Sequence, residues 1–424
     1  MVSRRQCLCA GLAAATGASI GAMAQPSALA TRGQRTAGCL GEDFDRSGWG
    51  GSDSAHPASG SPPGFIGSFI QLWRRHHQWH ALEWDSLFDA FKALGLQILV
   101  VQWTRVDALR FDRPLREPGL SEVASPLEAI LSRARQRNLK IMVGLDHEAS
   151  WWTCARLDAP ALEAYLARRA LGSLALARAL VPRLQTEPSF AGWYLSEEID
   201  AVSFASHRAR SLLRRFLLQL SEGLRRLMPG TRVGVSAFAP AGLQPEGCAQ
   251  LWSELVHGGA PVDTLLLQDG VGVGSHTLDQ WMQRLNLVRQ AVMAARAPDG
   301  AAIELWPVVE TFTQTAGPGG SASGFAAQPT QVDRLVQQLR VAAQGGPAIA
   351  FSVPDYLAPQ AGSGALALYQ DYLRAGLTPA VCSVTGVGPA EGIGPAGGIG
   401  PAGGIGPAGG IGPAGGCARA GGGR

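Results

Sequence analysis

Charged side chains are scarce in this chain of 424 residues: they make up 16% of it, as 36 Lys and Arg against 33 Asp and Glu. A net charge of +3 supplies no dense basic surface, which excludes a nucleic-acid binder that works by displacing counterions from phosphates. So few charges at a mean hydropathy of +0.07 also exclude a mainly disordered chain. No apolar run reaches the roughly 20 residues needed to cross a bilayer. The seven cysteines form no C-x-x-C pair and no zinc spacing. No G-x-G-x-x-G opens a helix after a strand, and no H-E-x-x-H accompanies the histidines, so neither a dinucleotide nor a metal is expected, and no cofactor at all.

What the two ends contain is not fold. Ser3-Arg4-Arg5-Gln6-Cys7-Leu8, a weakly apolar Ala/Gly stretch and Ala22-Met23-Ala24 have the basic start, apolar centre and A-x-A cleavage site of an export signal. The paired arginines resemble a twin-arginine signal, which implies the twin-arginine export machinery as a partner and a periplasmic or extracellular protein. Residues 1–24 are thus expected to be a leader and 25–62, rich in Ser, Gly, Pro and Ala, a flexible linker. From Gly394 to Cys417, Gly-Pro-Ala and Gly-Gly-Ile triplets alternate, and residues 379–424 read as a low-complexity tail with a collagen-like stretch. Cys39, Cys154, Cys248, Cys382 and Cys417 remain after cleavage, and an oxidising compartment would allow one disulfide among them, with the pairing open.

Residues 63–378 alternate short apolar runs with amphipathic stretches, eight times over. The expected strands are Phe65–Trp73, Gln97–Thr104, Lys140–His147, Phe190–Glu198, Arg232–Phe238, Asp263–Asp269, Ala302–Thr311 and Ala348–Asp355. Each is a short run bounded by polar or turn residues, as buried parallel strands should be. Between the first two, Leu87, Phe88, Phe91 and Leu94 share one helical face, and Gly95 stands where a C-cap is expected. Eight such units predict an α/β protein with a single (β/α)8 TIM barrel, a little longer than the usual ~250 residues.

Chemistry in such barrels sits at the carboxyl ends of the strands. Those ends carry Gln71 and Trp73, Gln102 and Trp103, His147 followed by Trp151, Glu197 and Glu198, Gln268 and Asp269, Glu310, and Asp355. Carboxylates and amides bind hydroxyls, and Trp faces stack on pyranose rings, so the rim has the composition of a polysaccharide or oligosaccharide cleft. Glycoside cleavage needs one carboxylic acid and one carboxylate. Glu198 after strand four and Glu310 after strand seven are the expected pair. Parity favours Glu198, which shares a face with Tyr194 and Ser196, over Glu197, which shares one with Trp193 and Leu195; both are kept as the candidate acid. Asp200 reads as a turn residue, Trp193 and Trp306 as core, and His76, His77 and His80 as a surface loop.

Trp193-Tyr194-Leu195-Ser196-Glu197-Glu198 resembles the W-x-x-x-N-E element of retaining glycosidases with catalytic glutamates on strands four and seven. The resemblance implies that Glu198 is the acid/base and Glu310 the nucleophile. Glu197 stands where those families carry the Asn that binds the sugar 2-hydroxyl, a departure that suits a non-catalytic carbohydrate-binding barrel. A second resemblance covers nearly the whole barrel. Phe69-Ile70-Gln71-Leu72-Trp73, Val101-Gln102-Trp103-Thr104, Gly192-Trp193-Tyr194-Leu195, Glu198-Ile199-Asp200 and Gln268-Asp269-Gly270-Val271-Gly272 are similar to a bacterial family of unknown function grouped with glycoside-hydrolase-like TIM barrels. It implies a secreted or periplasmic glycoside hydrolase.

Overall fold

The computed structural model describes residues 63–115, 124–293, 295–296, 302–315 and 325–377; the expected leader, linker and tail lie outside them, as do Cys39, Cys382 and Cys417. Eight strands form the barrel: β1 (Gly67–Ile70), β2 (Ile98–Val101), β3 (Lys140–Gly144), β4 (Phe190–Ile199), β5 (Arg232–Ala237), β6 (Thr264–Gln268), β7 (Glu304–Glu310) and β8 (Ile349–Phe351). All pair in parallel, in chain order, and β8 returns to β1 to close the ring. Eight main helices follow the strands in turn: α1 (Ala81–Ala93), α2 (Pro126–Gln136), α3 (Ala159–Leu184), α4 (His207–Leu227), α5 (Pro245–Val256), α6 (Leu278–Met293), α7 (Val332–Ala342) and α8 (Ser363–Arg374). The fold is a (β/α)8 TIM barrel. Every expected strand contains or overlaps an observed one. Pairing stops short of the apolar pattern in β1 and β8 because the chain turns aside there to build the rim.

The sequence explains both layers. On α1, Leu87, Phe88 and Phe91 are buried as one stripe, and Gly95 takes φ 72° to end the helix. Inside the ring, Phe69, Val100, Met142, Tyr194, Leu266 and Trp306 interdigitate. They fit because smaller residues stand among them: a Cβ on Gly234 would lie 2.8 Å from the Met142 Cε. Trp306 therefore fills the barrel, while Trp193 packs outside it against the helices, both as core.

Arg74–Gln78 is not the surface loop expected. It coils into a short 3-10 turn that buries His76 and His77. Trp79 and Trp84 cover His76, and Phe111 stacks on His77 at 5.1 Å. Burial, helped by the Arg75 charge, pushes His76 down to about 3. Only His80 is exposed, just before α1. Cys154 and Cys248 are free thiols. Among the described residues no helix is long and apolar enough to cross a membrane, and no group of three or more His, Cys, Asp and Glu could hold a metal ion.

Candidate active site

Alternate strands of such a barrel contribute to the same interior layer. At the carboxyl end the even strands meet in this way on Glu198. Its Oε1 accepts from Gln268 Nε2 at 3.0 Å, off β6, and from Gln102 Nε2 at 3.4 Å, off β2. His147 lies close by and stacks on Trp103 at 5.2 Å, with Nδ1 3.2 Å from the Ser196 carbonyl oxygen. A carbonyl only accepts, so that bond puts the imidazole proton on Nδ1. Burial lowers the His147 pKa below its ordinary value, against the pull of the Glu198 charge, and favours the neutral ring.

Glu310 ends β7. Its Oε2 accepts the Val273 N–H at 2.9 Å, from the loop that follows β6. Only glycine fits at position 272, because a Cβ there would lie 2.7 Å from the Glu310 Cβ and 3.0 Å from its Oε2. Beneath it sits Asp269, fully buried. Burial first, and the Glu310 charge second, push the Asp269 carboxyl from the ordinary 3.8 up to about 8.

Glu197 does not join them. Pairing of β4 with β5 runs Leu195 to Val235 and then Glu198 to Ser236, so Ser196 and Glu197 form a bulge. Two inserted residues preserve parity: Glu198 faces inward like Tyr194, and Glu197 faces the helices. There Arg169 from α3 donates to Glu197 Oε1 at 3.0 Å, to Asp146 Oδ2 at 2.6 Å and to the Asp146 carbonyl at 2.5 Å. All three residues are buried. Glu197 is thus a buried ion-pair partner of Arg169 rather than the substrate contact expected.

The other expected contacts divide. Gln71, Gln102 and Gln268 lie buried at the rim, the last two on Glu198. Asp269 is sealed beneath Glu310, which corrects its expected place in the cleft. Trp103 and Trp151, at 1% exposure, offer no open face for a sugar. Trp103 donates to the Leu72 carbonyl at 2.8 Å, and Trp151 donates to the Glu198 carbonyl at 2.9 Å and packs against Phe204 and Phe216. Trp73 is half-buried, edge-on to Trp103. Asp355 accepts from Arg75 at 3.0 Å and from Ser352 Oγ at 2.6 Å, which ties the turn after β8 to the rim. Asp200 is the turn residue expected, its Oδ1 accepting from Val202 and Ser203 N–H groups at 2.8 Å.

Sequence reasoning missed Arg169 and Gln338, yet both leave the same trace. Each interrupts the apolar stripe of its helix, Arg169 after Leu162, Tyr165 and Leu166, and Gln338 between Leu335 and Leu339. A polar side chain on a buried stripe needs a partner inside.

Removing the cation should expose the cost of this packing. Arg169→Met leaves Glu197 and Asp146 buried without it, and the expected loss is about 3–5 kcal/mol of unfolding free energy in a urea titration. A loss below ~1 kcal/mol would mean that water reaches the pair. Asp269 gives a pH signature. Its folded pKa is raised, so between about pH 4 and about pH 8 the folded protein holds a proton that the unfolded chain has released. Stability should therefore fall as pH rises across that window, and the fall should be shallower in Asp269→Asn, as read by thermal melts in a pH series.

Residues 65–363 match the model of a family described as a domain of unknown function, DUF4434. The chain is 30% identical over 253 residues to the uncharacterized protein YbcH of Escherichia coli (strain K12), a span of 59% of this chain and 80% of that protein. Among solved structures, the barrel is similar to a candidate alpha-L-fucosidase from Bacteroides thetaiotaomicron VPI-5482, with a TM-score of 0.59 and 18% identity over 74% of this chain and 94% of that one. At that identity the likeness is one of fold. The chain belongs to the DUF4434 family, and its fold is a (β/α)8 barrel.

Proposed function

We propose that the protein is an exported glycoside hydrolase that cleaves a polysaccharide or oligosaccharide by a retaining double displacement, with Glu198 as acid/base and Glu310 as nucleophile. One observation carries the reading: two inward-facing carboxylates at the ends of β4 and β7, each held by a different kind of donor. Both side-chain amides donate to Oε1 of Glu198 and hold its carboxyl group at the end of β4. Glu198 then protonates the leaving oxygen while Glu310 attacks the anomeric carbon, and the glycosidic C–O bond breaks. Water next attacks the glycosyl–Glu310 ester and loses its proton to Glu198, which restores both groups. Val273 N–H, a neutral donor on Glu310, orients the carboxylate without neutralising it. Gln71 and the half-buried Trp73 and Tyr356 are the side chains suited to contact the sugar. Export rests on the paired arginines of the leader and is read by N-terminal sequencing of the recovered protein.

The test is hydrolysis of a polysaccharide panel, with alpha-L-fucosides included because the barrel is similar to that candidate fucosidase. Glu310→Gln should abolish turnover and leave glycan binding nearly intact; Glu198→Gln should cost about 10²–10⁴-fold in kcat. Proton NMR of the first-formed sugar should show a retained anomeric configuration. An inverted product would reassign Glu310 as a general base. Glycan binding without cleavage by the wild type would instead mark a carbohydrate-binding barrel, the reading that the Arg169-bound Glu197 would favour.

A further inference from the structure

Glu310 is gripped from behind by side chains that face away from the mouth. Pairing of β7 with β6 stops at Val308 and Gln268, and the Asp269 side chain takes up the next bond. Its Oδ1 accepts the Glu310 backbone N–H at 3.4 Å and the Val271 N–H at 3.1 Å. Its Oδ2 accepts from Gln338 Nε2 at 2.6 Å, and that nitrogen also reaches the Glu310 carbonyl oxygen at 3.3 Å. Gln338 is oriented in turn by Arg334, one turn earlier on α7, whose Nε donates to Gln338 Oε1 at 3.2 Å. Arg334 also donates to Thr313 Oγ1 at 3.0 Å and to the Phe312 carbonyl, just past the end of β7.

We propose that Asp269 is the positioning residue of this site: with Gln338 and Arg334 it fixes where the Glu310 carboxylate points, and it does not touch the sugar. The proposal rests on the reading of Glu310 as nucleophile. Its geometry is closed on itself. Asp269 and Gln338 hold both backbone polar groups of Glu310, and through Val271 Asp269 also shapes the loop whose Val273 N–H holds the Glu310 carboxylate. A nucleophile displaced by about 1 Å loses on the order of 100-fold in rate, so such a grip acts on kcat.

Few charges face the pair. Arg334 approaches from α7 and Tyr356 from the turn after β8, while His276, ahead of α6, bonds the Ala239 carbonyl. In this setting burial first, and the Glu310 charge second, push the Asp269 carboxyl up to about 8.

The experiment uses the full chain and the Asp269→Asn variant, with folding checked by circular dichroism. Expected is a fall in kcat of roughly 10- to 100-fold with KM changed by less than about twofold. A raised KM at unchanged kcat would make Asp269 a substrate contact and overturn the proposal. A second readout needs no substrate. With 13C-labelled glutamate, the Glu310 carboxyl resonance should show a second inflection near pH 8 that vanishes in Asp269→Asn. Superimposable titrations in the two proteins would overturn the proposal. Loss of the inflection, in a protein that hydrolyses nothing, would uphold the Asp269 grip and reject the glycosidase reading alone. Should Asp269→Asn fail to fold, Gln338→Met removes a donor from Asp269 and should move the inflection upward; an unmoved inflection counts against the proposal.

Discussion

One buried cation sets the geometry of the mouth. Arg169 reaches from the middle of α3 to the ends of β3 and β4 and binds Asp146 and Glu197 together. Burying these three charges is costly, and only close, multiple hydrogen bonds offset the lost hydration. The arrangement is therefore intolerant of slippage. If Glu197 must face the helix layer to meet Arg169, its neighbour Glu198 must face the barrel interior. The bulge at Ser196 and Glu197 absorbs the two additional residues without reversing that parity. Trp151 reinforces it by donating to the Glu198 carbonyl.

The closed ring supplies the second constraint. Because alternate strands share a layer, Gln102, Glu198 and Gln268 converge from β2, β4 and β6, whereas Glu310 on β7 belongs to the odd set. The two glutamates consequently receive different neighbours from different loops. Glu198 is approached by side-chain amides held on rigid strands. Glu310 is approached by a backbone N–H, in a loop whose path depends on Gly272 having no Cβ.

How much of this could be read from the sequence follows from which interactions are periodic. All eight strands and the α1 stripe were readable because alternation of apolar runs and helices is a local pattern that tertiary packing here reinforces. Parity alone separated Glu198 from Glu197. What failed was anything decided by a distant partner. His76 and His77 look like a polar loop until Trp79, Trp84 and Phe111 close over them, and Trp103 and Trp151 look like sugar platforms until their ring nitrogens find backbone carbonyls. Asp269 looks like a rim carboxylate, although the turn at Gly270 carries the chain over it and Gln338 seals it from below. Each error placed at the surface a side chain that tertiary packing had buried.

The unequal surroundings of the two glutamates bear on what the barrel can do. A pair of carboxylates in like environments would share one proton and one role. Separate roles require environments that push their proton affinities apart. Here His147 sits beside Glu198, and burial lowers the pKa of that ring, which favours its neutral form. Behind Glu310, burial and the Glu310 charge push the Asp269 carboxyl up to about 8, and Arg334 stands as the nearby cation. The acid/base and nucleophile roles proposed for Glu198 and Glu310 call for unlike surroundings, and in this chain the surroundings are made unlike by two burial events, at His147 and at Asp269.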